Sequence, residues 1–96
     1  MGMDVVVPRT GACPISSLLA RLAAVGLSAS VIMVDGALHA PSAPIPDGWR
    51  DVRLKTYAGA VTIKRREDGI AVIVFGNADA ALQAAQRTIA DAVREA

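Results

Sequence analysis

Two consecutive segments in the second half of the sequence alternate between apolar and charged residues, and this alternation constrains the fold more than any other feature. In residues 50–57, Val52 and Leu54 fall on one side of an extended chain, while Arg53 and Lys55 fall on the other. A strand with this pattern covers an apolar core with one face and meets water with the other. The pattern therefore predicts an antiparallel sheet with one buried face.

Residues 60–67 repeat the alternation, and the chain can turn between the two segments near Gly59. The dipeptide Asp68-Gly69 comes next and is the strongest short hairpin signal that we identify, because a type I′ turn needs positive φ at both central residues. Residues 70–75 are apolar throughout. This region thus predicts three strands joined by two tight hairpins.

The first half of the sequence predicts a strand, a helix and a second strand. Residues 4–8 are valine-rich and end at a proline. Pro14 suits the first position of a helix, which places Cys13 near the N-cap, and apolar residues then recur at helical spacing up to Gly26. Residues 29–34 are predicted to form the second strand, apolar on both faces.

Two further segments complete the chain. Residues 35–48 contain three prolines and are predicted to be a surface loop or an irregular crossover. Asn77 is the predicted N-cap of a long C-terminal helix, with Asp79 in its first turn. The predicted buried stripe of this helix consists of Leu82, Ala85, Ile89 and Val93.

The predicted element order is β-α-β-β-β-β-α, in a single α+β domain over residues 1–96. The simplest architecture with this order is one mainly antiparallel five-stranded sheet with both helices packed on one face. The order resembles that of the TATA-box-binding-protein-like and helix-grip folds. The resemblance implies a topology and no particular function, since one fold serves many functions.

Three predicted strands are apolar on both faces, which two helices on one face do not explain. These strands are residues 5–7, 31–34 and 70–75, whereas a strand with one solvated face alternates. A domain of this size also buries only about 60–65% of the surface of its unfolded chain, so association would add burial. We therefore expect a homodimer through the open sheet face, with coverage by the proline-rich loop as the alternative.

The composition narrows the environment of the protein. The sequence is 53% hydrophobic, which excludes intrinsic disorder, yet no stretch supplies the roughly 20 continuous apolar residues of a transmembrane helix. A single cysteine excludes an internal disulfide framework and a cysteine-built zinc site. We expect a soluble cytoplasmic protein that does not bind membranes.

Cys13 is a candidate reactive thiol, because a helix N-terminus stabilises a thiolate. The pair Cys13-Pro14, opening a helix after a first strand, resembles the start of the small sulfur-carrier proteins of the TusA type. The resemblance implies that Cys13 carries a persulfide. That family has a second proline at the position of Ser16, and this sequence departs from it there. A lone cysteine more often serves as a small buried hydrophobe.

Six of the ten basic residues fall within residues 50–66 with one acidic residue, so this segment carries a formal charge of +5. Four of them are expected to share one face of two paired strands: Arg53, Lys55, Lys64 and Arg66. Such a face could bind a small anionic ligand or an acidic protein, or could simply be solvated and oppose aggregation. Nucleic acid is a weaker candidate, because aromatic residues, which stack on bases, make up only 3% of the sequence.

Asp35, His39 and Asp47 bracket the predicted loop, and their side chains are of the types that bind metal or move protons. One histidine and two distant aspartates do not define a coordination site, and the sequence contains no phosphate loop or nucleophile elbow. We therefore expect no metal and no cofactor.

The expected function is that of a non-catalytic module that self-associates through its sheet and binds a protein partner or a small anionic ligand. A thiol-based sulfur carrier or redox protein using Cys13 is the first alternative. Nucleic-acid binding by the basic face is the second.

Overall fold

The structure is a computed structural model that describes residues 3–8, 13–40, 43–46, 48–76 and 79–95. It combines two helices with an antiparallel sheet of six strands, in the spatial order β1-β6-β5-β4-β2-β3. The elements in chain order are β1 (Met3–Val7), α1 (Ile15–Ala24), β2 (Ala29–Val34), β3 (Ala37–Leu38), β4 (Asp51–Thr56), β5 (Gly59–Arg66), β6 (Gly69–Val74) and α2 (Ala80–Glu95). The predicted α+β class is confirmed.

The strand β3 makes the predicted count of five strands wrong. It pairs with the end of β2 across a two-residue turn formed by Asp35 (φ 51°) and Gly36 (φ 81°). Positive φ at both central residues is the property of a type I′ turn, which suits a two-residue hairpin. The Asp35 carboxylate also accepts hydrogen bonds from the backbone N–H groups of Arg50 (2.7 Å) and Asp51 (3.0 Å). Part of the predicted loop is therefore an ordered hairpin.

The two predicted hairpins are present, but each turn lies one residue earlier than the sequence indicated. Glu67 and Asp68 form the second turn, because Arg66 pairs with Gly69 as the first residue of β6. Gly69 has φ +147°, and a Cβ atom there would overlap with the carbonyl oxygen of Val7 in β1. Glycine is therefore required here for the close approach of β1 rather than for the centre of a turn.

Both helices begin later than predicted. Pro14 is the N-cap of α1, which starts at Ile15. Asp79 caps α2, since its carboxylate accepts a hydrogen bond of 2.8 Å from the N–H of Leu82. An aspartate at this position satisfies a backbone donor that the helix itself cannot pair. Asn77, the predicted cap, lies outside the described residues. Neither helix within the described ranges has the length and hydropathy that crossing a bilayer would require.

One core lies between the sheet and both helices. Alternate residues of β4, β5 and β6 pack against the apolar stripes of α1 and α2, and the two helices contact each other. Trp49 is buried at one end of this core, where its Nε1 donates to the carbonyl of Cys13 (3.0 Å). The guanidinium carbon of Arg65 lies 4.4 Å from the centre of the Trp49 ring, in a cation–π contact. Arg65 thus belongs to the helix-facing side of β5.

The opposite side of the sheet, which we call the outer face, has apolar residues at its centre that are buried by neighbouring side chains of the same chain. Ala71 and Ile73 of β6 point to this face, yet they are only 0% and 6% exposed. Val6 and Lys64 are the cross-strand neighbours of Ala71, so their side chains flank it. Long basic side chains can cover apolar surface with their aliphatic stems. The outward-facing residues of β6 are therefore covered within one chain, whereas Val6 of β1 and Met33 of β2 are half-buried. Association through the outer face stays a prediction.

Candidate functional site: a cleft at the sheet edge

The two helices are too narrow to cover all six strands. Neighbouring strands lie about 4.8 Å apart, so six strands span about 24 Å, whereas two helices of about 10 Å diameter cover about 20 Å. Helix α2 packs on β1, β6 and β5, and α1 packs on α2 and β2. The sheet edge formed by β2 and β3 is therefore incompletely covered.

A cleft occupies this uncovered edge, with a volume of about 830 Å³. Helix α1 supplies one wall, β2 and β3 supply another, and residues 43–45 supply a third. Ile45 packs partly against the core and links this last wall to the rest of the molecule. The volume lies in the range of about 300–1,000 Å³ that is typical of small-molecule sites. We call this feature the edge cleft.

The lining of the edge cleft is mainly apolar. Its principal apolar side chains are Ile15, Leu19, Val31, Ile32, Leu38 and Ile45. Of these residues, Leu38 borders the cleft and is 87% exposed. Its strand partner Met33 pairs with Arg53, so the Leu38 side chain lies toward the outer face. Ser16, Ser30 and His39 are the polar residues of the lining. The Ser30 side chain lies on the outer face, because Ser30 pairs with Lys55. No carboxylate, lysine or arginine belongs to the described lining, so the cleft presents mainly apolar surface with few polar side chains.

The backbone of β2 is open along part of the cleft. On the side toward β3, only Met33 and Val34 have strand partners, and the N–H of His39 donates to the carbonyl of Ile32 (3.0 Å). On its other side, β2 pairs with β4 over its full length from Ala29, with a bulge between Val31 and Met33. The backbone of residues 29–31 thus has a strand on one side and the cleft on the other within the described part of the chain.

The outer face carries all four basic residues that the sequence singled out. Arg53, Lys55, Lys64 and Arg66 are exposed there, on β4 and β5. They do not oppose one another directly: the cross-strand partners of Arg53, Lys55 and Lys64 are Thr62, Ala60 and Asp51.

The four basic residues differ in their charge partners. Arg66 forms an ion pair of 2.9 Å with Asp4 of β1. Arg53, Lys55 and Lys64 form no ion pair with any residue in the described ranges. Binding of an anion or acidic partner by these residues stays a prediction.

Cys13 lies at the start of the core rather than at the surface. Its side chain is fully buried, and it precedes the first residue of α1 by two positions. A buried thiol meets an external sulfur donor only after the surrounding core opens. The persulfide role stays a prediction.

The polar residues of the predicted loop do not assemble into a site. The Asp35 carboxylate is occupied by backbone hydrogen bonds, and His39 lines the edge cleft. Asp47 lies outside the described residues. Among the residues that the structure describes, no three histidine, cysteine, aspartate or glutamate side chains are grouped in a way that could hold a metal ion.

In comparisons with family models, curated proteins and solved structures, none matches this chain. The edge cleft is a structural feature that is independent of the predicted basic face and thiol. Sequence reasoning missed this cleft, although one signal was present. Asp35-Gly36 is the same hairpin dipeptide as Asp68-Gly69, and it predicts the strand β3 that forms part of the lining.

Proposed function

We propose that this protein is a non-catalytic binding module whose ligand enters the edge cleft with an apolar group. The observation that carries the proposal is a concave, largely apolar volume of about 830 Å³ beside an incompletely covered sheet edge. Well-formed apolar pockets with a few convergent polar groups are the usual location of ligand sites.

The size of the apolar contribution limits what kind of ligand can bind well. A group that buries about 150 Å² of apolar surface gains about 4 kcal/mol from the hydrophobic effect. Association costs about 4 kcal/mol or more in lost translational and rotational freedom. Apolar contact alone therefore gives weak binding, and a good ligand must also form hydrogen bonds with the cleft.

The test uses the uncharged dye phenylnaphthylamine, which fluoresces in apolar surroundings and does not respond to the basic face. We expect saturable binding, with amide chemical-shift changes concentrated at Leu19, Val31 and Ile45. Ser16 is exposed on the first turn of α1 and lines the cleft, so Ser16→Phe fills the cleft without disturbing the core. It should weaken dye binding by about tenfold or more, which corresponds to about 1.4 kcal/mol.

Ser17→Phe is the matched control, because Ser17 is the adjacent exposed residue and does not line the cleft. It should leave the dye affinity unchanged. Equal effects of the two variants, or shift changes scattered over the surface, would contradict the proposal.

The other expected functions stay predictions. For self-association through the outer face, Ala71 and Ile73 of β6 are covered within one chain, whereas Val6 and Met33 are half-buried. Size-exclusion chromatography with light scattering tests it, and a particle of about twice the 9.9 kDa chain mass would support it. The resemblance to the TATA-box-binding-protein-like and helix-grip folds, the cytoplasmic location and nucleic-acid binding likewise stay predictions.

A further inference from the structure

We infer that the ligand of the edge cleft is an extended peptide segment, which adds as a strand beside residues 29–31 of β2 and alternates apolar with acidic residues. This inference rests on the proposed function, because it names the class of partner that the same cleft takes. Three features of the molecule lead to it: the open backbone edge of β2, the apolar cleft on one side of that edge, and the basic residues on the other side.

The open edge of β2 supplies the hydrogen bonds that apolar contact alone does not. Strand β3 covers only Met33 and Val34. The N–H of His39 already donates to the carbonyl of Ile32 (3.0 Å), so residues 29–31 remain. They span about 10 Å, which accommodates about three residues of an extended partner. In strand addition, hydrogen bonds between main chains provide affinity, and pockets for alternate side chains provide specificity. The edge cleft is positioned to be such a pocket, since it lies between this edge and α1.

The two sides of an added strand would meet different surfaces. Side chains that point toward the helices would enter the edge cleft near Leu19, Val31 and Ile45, which favours apolar residues. The intervening side chain would point to the outer face, beside Ser30, whose partner on β4 is Lys55. Successive residues of a strand point to opposite faces, so the preferred sequence has a period of two.

The charge of the outer face selects acidic residues at the intervening positions. The cross-strand neighbour of Ser30 is Lys55, and Arg53 lies two residues before Lys55 on the same face of β4. Both basic side chains are exposed and form no ion pair with any described residue. A strand added beside β2 would lie about 10 Å from β4, a distance that long side chains extending from both strands can bridge. The partner is therefore complementary in charge to this edge of the sheet.

The first test uses blocked hexapeptides titrated into the isotope-labelled protein. We expect a peptide with alternating valine and glutamate to bind, with shift changes at residues 29–31 and at Leu19. A peptide with alternating valine and lysine should bind at least about tenfold more weakly, and a peptide with three valines followed by three glutamates should also lose affinity, because its period is wrong.

Backbone methylation distinguishes strand addition from the binding of side chains alone. Alternate N–H groups of a strand point to opposite edges, so one pair of N-methylated peptides carries the methyl groups toward β2 or away from it. One member of the pair should lose binding and the other should retain it. Equal affinity of both members would overturn the strand-addition inference, while dye binding in the cleft would leave the proposed function intact.

The second test uses charge reversal on the protein. Arg53→Glu and Lys55→Glu should each weaken the valine–glutamate peptide by about threefold to tenfold at low salt, and the difference should shrink as ionic strength rises. Arg87→Glu is the control, because it makes the same change in net charge at an exposed position on α2. Equal weakening by all three variants would show a general effect of net charge and refute the acidic pattern.

A second copy of this chain is an alternative occupant of the open β2 edge, and the experiments distinguish it from a peptide. If the protein forms oligomers through its sheet edges, chemical shifts of residues 29–31 will depend on protein concentration without any peptide. That result, combined with no peptide binding, would overturn the inference in favour of self-association.

Discussion

Gly69→Ala should destabilise the fold by separating β1 from the rest of the sheet. Two costs add at this position. Alanine at φ +147° is strained, which costs about 1–3 kcal/mol. The new Cβ atom also overlaps with the backbone of Val7, and backbone shifts that relieve such overlap cost about 1–3 kcal/mol more. The expected loss of about 2–6 kcal/mol is large against the total of about 5–15 kcal/mol that is usual for a domain.

Gly59→Ala separates the two costs, because Gly59 occupies the equivalent position of the preceding hairpin with φ +136°. A Cβ atom there meets only the flexible end of Leu82, at 3.4 Å. This variant should therefore show the backbone strain without the clash. Urea unfolding monitored by circular dichroism gives both free energies, and hydrogen exchange should show faster exchange in β1 for Gly69→Ala alone. Equal destabilisation by the two variants would refute the argument that Gly69 is required for the approach of β1.

The remaining predictions concern single contacts. Asp79→Ala should remove the N-cap of α2 and cost about 1 kcal/mol, which lowers the Tm by about 4–8 °C; an unchanged Tm would contradict the capping role. Asp35→Ala should cost about 1–3 kcal/mol in urea unfolding, because it leaves two backbone N–H groups without their acceptor, whereas Asp35→Asn keeps an acceptor and tolerates positive φ and should cost much less. Cys13 should react with iodoacetamide far more slowly in the native protein than in urea, because its side chain is buried; rapid native reaction at neutral pH would instead support the thiol-carrier alternative.

The alternating pattern of residues 50–67 was sufficient to predict β4 and β5. Register follows from the pattern because a shift by one residue would place every apolar side chain on the wrong face. In the structure Val52 pairs with Ile63 and Leu54 with Val61, so both apolar sets lie on the helix-facing side. The C-terminal helix was also predicted correctly, although Gln86 is buried and donates to the carbonyl of Val72 (2.9 Å).

Other features depend on contacts that no local pattern encodes. The prolines of residues 35–48 indicated a loop. For this reason the Asp35-Gly36 hairpin turn, which begins this region, was not predicted. The burial of Ala71 depends on Val6 and Lys64, which are neighbours only after β1 pairs with β6. The edge cleft arises from the difference in width between six strands and two helices. The periodicity of a segment predicts which of its side chains share a face. Whether that face is covered depends on the neighbouring strands and helices.

The pairing of β1 with β6 has a consequence for how the chain reaches its native state. Val7 pairs with Ile70, so β1 leaves the ribosome more than sixty residues before its partner strand. The hairpins β4–β5 and β5–β6 close over two-residue turns, and the entropic cost of closing the longer connection exceeds theirs by roughly 2–3 kcal/mol. The three C-terminal strands should therefore assemble first and act as the template, with the valine-rich start of the chain joining last. Until β6 is complete, the valine-rich β1 segment is unpaired and can associate with other chains. Rapid completion of β6 would shorten this period of exposure.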